Sequence, residues 1–136
     1  MPTLITRLLL ILFVVLIIPN QISATTNDLP ECVVMTHCVR ENFKVKEIEH
    51  AFRKAIKIVS DTPRTKIVEQ TNTYIHAEAK TKWRRYTDDL LLKALPEEGI
   101  IQVRSESRVG IGDNGVNQRR VDDFAYRLMT EPDSPS

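Results

Sequence analysis

The chain is short of most features that announce a biochemical activity. Its 136 residues hold two cysteines, four glycines and one tryptophan. It has no serine elbow, HExxH pair, P-loop or cysteine–histidine signature, so the common routes to hydrolysis, zinc chemistry and nucleotide-driven work find no foundation in the sequence. Charge of one sign is also lacking: with Arg7 set aside, 18 basic groups face 18 acidic ones. A general nucleic-acid binder needs a basic excess, because phosphate neutralisation supplies most of its affinity, so no nucleic-acid partner is expected. There is no internal repeat and no interdomain linker, which leaves material for one core.

Long apolar runs are missing as well. The longest, Leu8 to Ile18, spans 11 residues, whereas a membrane-crossing helix needs about 20. Arg7 precedes it, and Pro19, Asn20, Gln21, Ile22, Ser23 and Ala24 follow. This is the layout of a signal peptide cleaved near Ala24, and it leaves no stable membrane anchor. The first thiol is Cys32, too far from that point for lipoprotein processing. The expected organisation is a signal peptide over 1–24, one globular domain over 25–130 and a disordered tail over 131–136. Export favours a Cys32–Cys38 disulfide. The alternatives are free thiols or a metal site on Cys32, His37 and Cys38, which lacks a clear fourth ligand.

What is present reads as α+β. Ile48, Phe52, Ala55, Ile56 and Val59 recur at helical spacing over Lys46 to Ser60, and Pro63 stops the helix. The period then falls to two, with strand candidates at Arg64–Thr71, Thr73–Thr81, Trp83–Lys93 and Ile100–Arg108. Val121, Phe124, Ala125 and Leu128 form the stripe of a closing helix capped by Asn117. The expected architecture is a four-stranded antiparallel meander with both helices on its apolar face.

Between the last strand and that helix, Gly110-Ile111-Gly112-Asp113-Asn114-Gly115 matches G-x-G-x-x-G literally. No strand follows the helix, so the parallel unit that aims a helix at a pyrophosphate is missing, and no nucleotide or other cofactor is expected. The milder reading is an anion-binding loop near Arg108, Arg119 and Arg120. It competes with a plain one in which the glycines make tight turns and Asp113 accepts loop amides.

Several segments together resemble the domain of unknown function 1499 family. They are Ile101-Gln102-Val103-Arg104-Ser105-Glu106-Ser107-Arg108-Val109-Gly110, followed by Asp113, Gly115, Val116, Asn117, Arg119 and Arg120; Tyr74-Ile75-His76-Ala77-Glu78; Trp83-Arg84-Arg85-Tyr86-Thr87-Asp88-Asp89; and Pro30-Glu31-Cys32-Val33. Val34, Met35 and Cys38 depart from that pattern. The resemblance covers roughly Leu29 to Met129. It implies an exported or membrane-associated domain, placed in the periplasm or thylakoid lumen, and no established activity.

Paired strands would bring His76, Glu78, Asp88, Arg104 and Arg108 onto one polar face. The candidate ligand-binding residues are His76, Asp88, Arg104, Arg108, Gly110, Asp113, Asn117 and Arg120, with a protein partner or a small anionic ligand as their target. An enzyme would use Asp88 or Glu78 as base, His76 as its partner and Arg108 to hold an anionic substrate. Neither a catalytic residue nor a resident metal can be named from the sequence. A non-catalytic binding module fits best, with Arg104, Arg108 and the glycine loop as its contact surface.

Overall fold

The computed structural model describes residues 28–110 and 112–132. The proposed signal peptide, Ile111 and the last four residues of the tail lie outside them. The elements are β1 (Cys38–Lys44), α1 (Ile48–Asp61), β2 (Thr65–Gln70), β3 (Tyr74–Lys80), β4 (Thr87–Leu95), a 3-10 turn (Pro96–Glu98), β5 (Ile100–Ser107) and α2 (Val116–Thr130). The sheet has five antiparallel strands in the order β1-β5-β4-β3-β2. Four of them form the expected meander. The fifth, β1, is a correction to the four-stranded reading. Its inward positions Val39, Glu41 and Phe43 break the apolar alternation with a glutamate, which an edge strand tolerates because Gln118 on α2 donates to Glu41 Oε1 at 2.8 Å.

Strand β4 begins at Thr87 rather than Trp83, and it absorbs the leucine run. Leu90, Leu92 and Ala94 point inward, while Leu91 and Lys93 share the opposite face. Thr81 and Tyr86 close the preceding turn: the Thr81 amide donates to the Tyr86 carbonyl and the Tyr86 amide to Thr81 Oγ1, each at 2.9 Å. Lys82 to Arg85 therefore project from the sheet as a loop.

Helix α1 buries Phe52, Ala55, Ile58 and Val59, and α2 buries Val121, Phe124 and Leu128. Both stripes close over Ile75, Ala77, Leu90, Leu92, Ile101 and Val103, so the core lies between one sheet face and the two helices. Ile48 and Ile56, counted with the α1 stripe from periodicity, pack only at its margin. Among the described residues no helix is long and apolar enough to cross a membrane. Cys32 and Cys38 are disulfide-bonded, which ties the segment before β1 to that strand and takes the thiols that a Cys32–His37–Cys38 metal site needs.

Candidate binding site

Register decides which of the expected site residues meet. Ala79 pairs with Asp88 and Glu78 with Asp89 across β3 and β4. Since Ala79 faces the core, Asp88 does too, and it is fully buried. The polar face expected to carry Asp88 carries Asp89 in its place, because adjacent residues of a strand point to opposite faces. His76 Nε2 lies 2.6 Å from Asp89 Oδ1. Arg108 donates Nε to Asp89 Oδ2 at 2.8 Å, and Nη2 to Asp89 Oδ1 and Glu78 Oε1 at 2.7 Å each. Hydrogen bonding to Asp89 first, and to Glu78 next, pushes the Arg108 pKa up. Arg108, followed by His76, holds the Asp89 carboxyl below the usual carboxylate range against the opposing effect of burial. Arg104 shares this face and pairs with Glu106 at 2.7 Å. His76, Glu78, Asp89 and Arg108 thus answer one another's charges, as do Arg104 and Glu106.

On the other side of the sheet, Asp88 belongs to a buried polar network. Arg120 on α2 donates Nη2 to Asp88 Oδ2 at 2.7 Å, and Nη1 to Asn117 Oδ1 at 2.7 Å and Ser105 Oγ at 2.9 Å. Ser105 Oγ also donates to Asn117 Oδ1 at 2.6 Å, and Asn117 Nδ2 donates to Ser107 Oγ and the His37 carbonyl, both at 3.0 Å. Asn117 is therefore not the helix cap. It lies buried in the first turn and ties α2 to β5 and to the segment before β1. The cap position is Gly115, and the acceptor comes from Asp113 two residues earlier, whose carboxylate takes the Gly115 amide at 2.9 Å and the Asn117 amide at 2.7 Å. Burial alone would raise its pKa, but the Asn117 and Gly115 amides outweigh that and hold the carboxyl below its usual range. The helix amino terminus is satisfied by the protein's own anion. Gly115, with φ of 73°, makes the turn into the helix, where a side chain would be strained and would meet Arg119 Nη1.

Beside this network opens a cleft of about 790 Å³ between the β3–β4 loop and the glycine-rich loop, within the range of small-molecule sites. Arg64, Lys80, Lys82, Arg84 and Arg119 line it together with Trp83. Gly110, Asp113 and Arg120 from the sequence reading reach its wall, whereas His76, Asp88, Arg104, Arg108 and Asn117 do not. Among the described residues none of those five cations has a carboxylate partner. Arg64 Nε donates to the Lys80 carbonyl at 3.3 Å, Arg119 Nη1 to the Asn114 carbonyl at 2.9 Å, and Lys82 Nζ lies 5.3 Å from the Trp83 ring centroid. Trp83 is 87% exposed. The one carboxylate in the wall, Asp113, is spent on α2.

The backbone around the cleft is also held in a costly form. Among the described residues the non-glycine positions with positive φ are Arg64 (59°), Arg85 (55°) and Asn114 (53°). Arg64 and Asn114 line the cleft and Arg85 lies in the loop that walls it. Such geometry costs about 1–2 kcal/mol for a residue carrying a Cβ and gathers at functional sites. Sequence reading missed Lys82, Trp83 and Arg84 as site residues by placing Trp83 in a strand; the dense Lys-Trp-Arg-Arg-Tyr run was the available signal.

Comparison with curated proteins finds no match. Residues 17–128 match the family described as protein of unknown function DUF1499, which covers both helices' buried stripes, the sheet and the cleft, and the chain belongs to that family.

Proposed function

We propose that the protein is a small exported, non-catalytic binding module that holds an anionic group, a phosphate or a carboxylate, in the cleft between the β3–β4 loop and the glycine-rich loop. Its expected location is the periplasm or the thylakoid lumen. The observation that carries this reading is the set of five cations around one concave surface that, among the described residues, have no carboxylate partner. Charge-assisted hydrogen bonds to an anion are roughly twice as strong as neutral ones, and a guanidinium fork matches phosphate and carboxylate geometry. Trp83 adds a flat apolar surface beside them for a ligand's organic part.

The contact surface differs from the one read from sequence, in which Arg104 and Arg108 carried the anion. Both are engaged by carboxylates of their own face. A hydrolase-like reading has less support for the same reason. Asp88 lies on the opposite face of the sheet from His76; Glu78, the other candidate base, shares His76's face but is engaged by Arg108, which is itself taken up by Glu78 and Asp89.

The test is thermal unfolding of the exported, processed protein against phosphates, carboxylates and divalent metals. A ligand at a hundredfold over its Kd adds about 2.7 kcal/mol, which raises the midpoint of so small a domain by several degrees. The expected result is a shift with an anion that Lys82→Ala combined with Arg84→Ala removes. No anion-dependent shift, or a shift that survives the double substitution, would overturn the reading.

A further inference from the structure

Three loops end at the same edge of the sheet as the cleft. The segment before β1 is held there by the Ser107 amide on the His37 carbonyl at 3.0 Å and the Asp113 amide on the Thr36 carbonyl at 3.3 Å. The Arg108 amide, donating to the Thr87 carbonyl at 3.3 Å, joins the glycine-rich loop to the start of β4. Each loop presents an apolar side chain to solvent: Val33 (90% exposed) and Met35 (74%) from the first, Trp83 from the β3–β4 loop, and Val109 from the glycine-rich loop. None of these side chains belongs to the core cluster or packs against its margin. Exposed apolar side chains beside a polar, mostly cationic rim mark an interaction site.

We infer that this end of the protein docks on the surface of a lipid bilayer containing anionic phospholipid. Val33, Met35, Trp83 and Val109 enter the headgroup region, and the cleft cations bind lipid phosphate. This rests on the anion-binding reading of the cleft and names the source of the anion. The chemistry is complementary on both counts. Tryptophan favours the interfacial depth because its ring is apolar and its indole N–H is polar. Lysine and arginine place charge at the headgroups while their stems lie along apolar surface. Apolar tips on loops suit shallow insertion of about 5–10 Å, whereas a flat apolar face would suit a protein partner.

Trp83 is the single tryptophan, so its emission reports directly on this surface. The processed, exported protein, its amino terminus read by mass spectrometry, is mixed with phosphatidylcholine vesicles with and without phosphatidylglycerol; emission and co-sedimentation are both measured. The expected result is a blue shift and sedimentation with the anionic vesicles alone. Partitioning should weaken about fivefold for each cation removed at Lys82 or Arg84, fall for Met35→Ser, and diminish in high salt. Equal partitioning on both vesicle types overturns the proposal, and so does an unshifted Trp83. A soluble phosphate shift without vesicle binding overturns the lipid surface and leaves the small-anion reading standing; loss of both overturns both. A protein cross-linked through position 83, with vesicles inert, would assign the surface to a protein partner instead.

Discussion

Arg108 and Arg84 sit near the same end of the sheet and meet opposite conditions. Arg108 grips two carboxylates, one of which also meets His76, so this cluster answers its charges internally. Arg84 lies in a cleft wall with Arg64, Lys80, Lys82 and Arg119, and among the described residues none of these has a carboxylate partner. Arg120 belongs with Arg108 in this respect, since its guanidinium is committed to Asp88, Asn117 and Ser105. The difference separates charge that serves the fold from charge that faces outward. Substitutions in the first group should cost stability and spare binding, and substitutions in the second should do the reverse.

The largest effect is expected at Arg120→Ala. Asp88 is fully buried, and removing its partner leaves an uncompensated charge in the interior, at a cost of about 3–5 kcal/mol. Chemical denaturation measures it; a loss under 1 kcal/mol would place Arg120 with the outward-facing cations. Replacing Cys32 and Cys38 by serine releases a loop with five residues between its ends, and loop entropy predicts about 2 kcal/mol. The check is thermal unfolding with and without reductant.

Asp113→Ala removes the acceptor for two α2 amides and should cost about 1 kcal/mol by the same assay. Asp113 and Asp89 also contribute to the acid sensitivity of the fold. Both have folded pKa values below the unfolded value of about 3.9, so their contribution is complete above about pH 5 and is lost as pH falls through 3.9 toward the folded values. An unfolding series from pH 6 to 3 should therefore show a smaller acid loss in Asp113→Asn than in wild type. Between the two cations committed to the fold, the smaller stability loss is expected for Arg108→Ala, because exposed ion pairs contribute little, and it should still exceed that of Arg84→Ala, which breaks no ion pair among the described residues.

Much of the fold was legible because the periods are clean. The α1 stripe, the alternation of Ile75, Ala77 and Ala79, and that of Ile101 and Val103 read directly as core faces. Strand β1 was not legible, since Glu41 interrupts its inward face and the interaction that permits it comes from Gln118, 77 residues away. The site was legible only in its glycine-loop half. Asp113 could be expected to accept loop amides, and it does, but neither Asp88's place beneath α2 nor Asn117's place inside it follows from local pattern. Asp88's place follows from the β3–β4 register, and Asn117's from its bonds to Ser105, Ser107 and the His37 carbonyl, residues distant in sequence or on another element. The inward Ser105 and Ser107, polar on an otherwise apolar face, were the sign that a polar network lay there.

The most direct test of the division between the two groups of cations is a titration of Trp83 emission with inorganic phosphate in wild type, Arg84→Ala and Arg108→Ala. A saturable change is predicted in wild type, weakened about tenfold in Arg84→Ala, as expected for a lost charged hydrogen bond, and unaltered in Arg108→Ala. No saturable change, or equal weakening in both variants, would contradict the account.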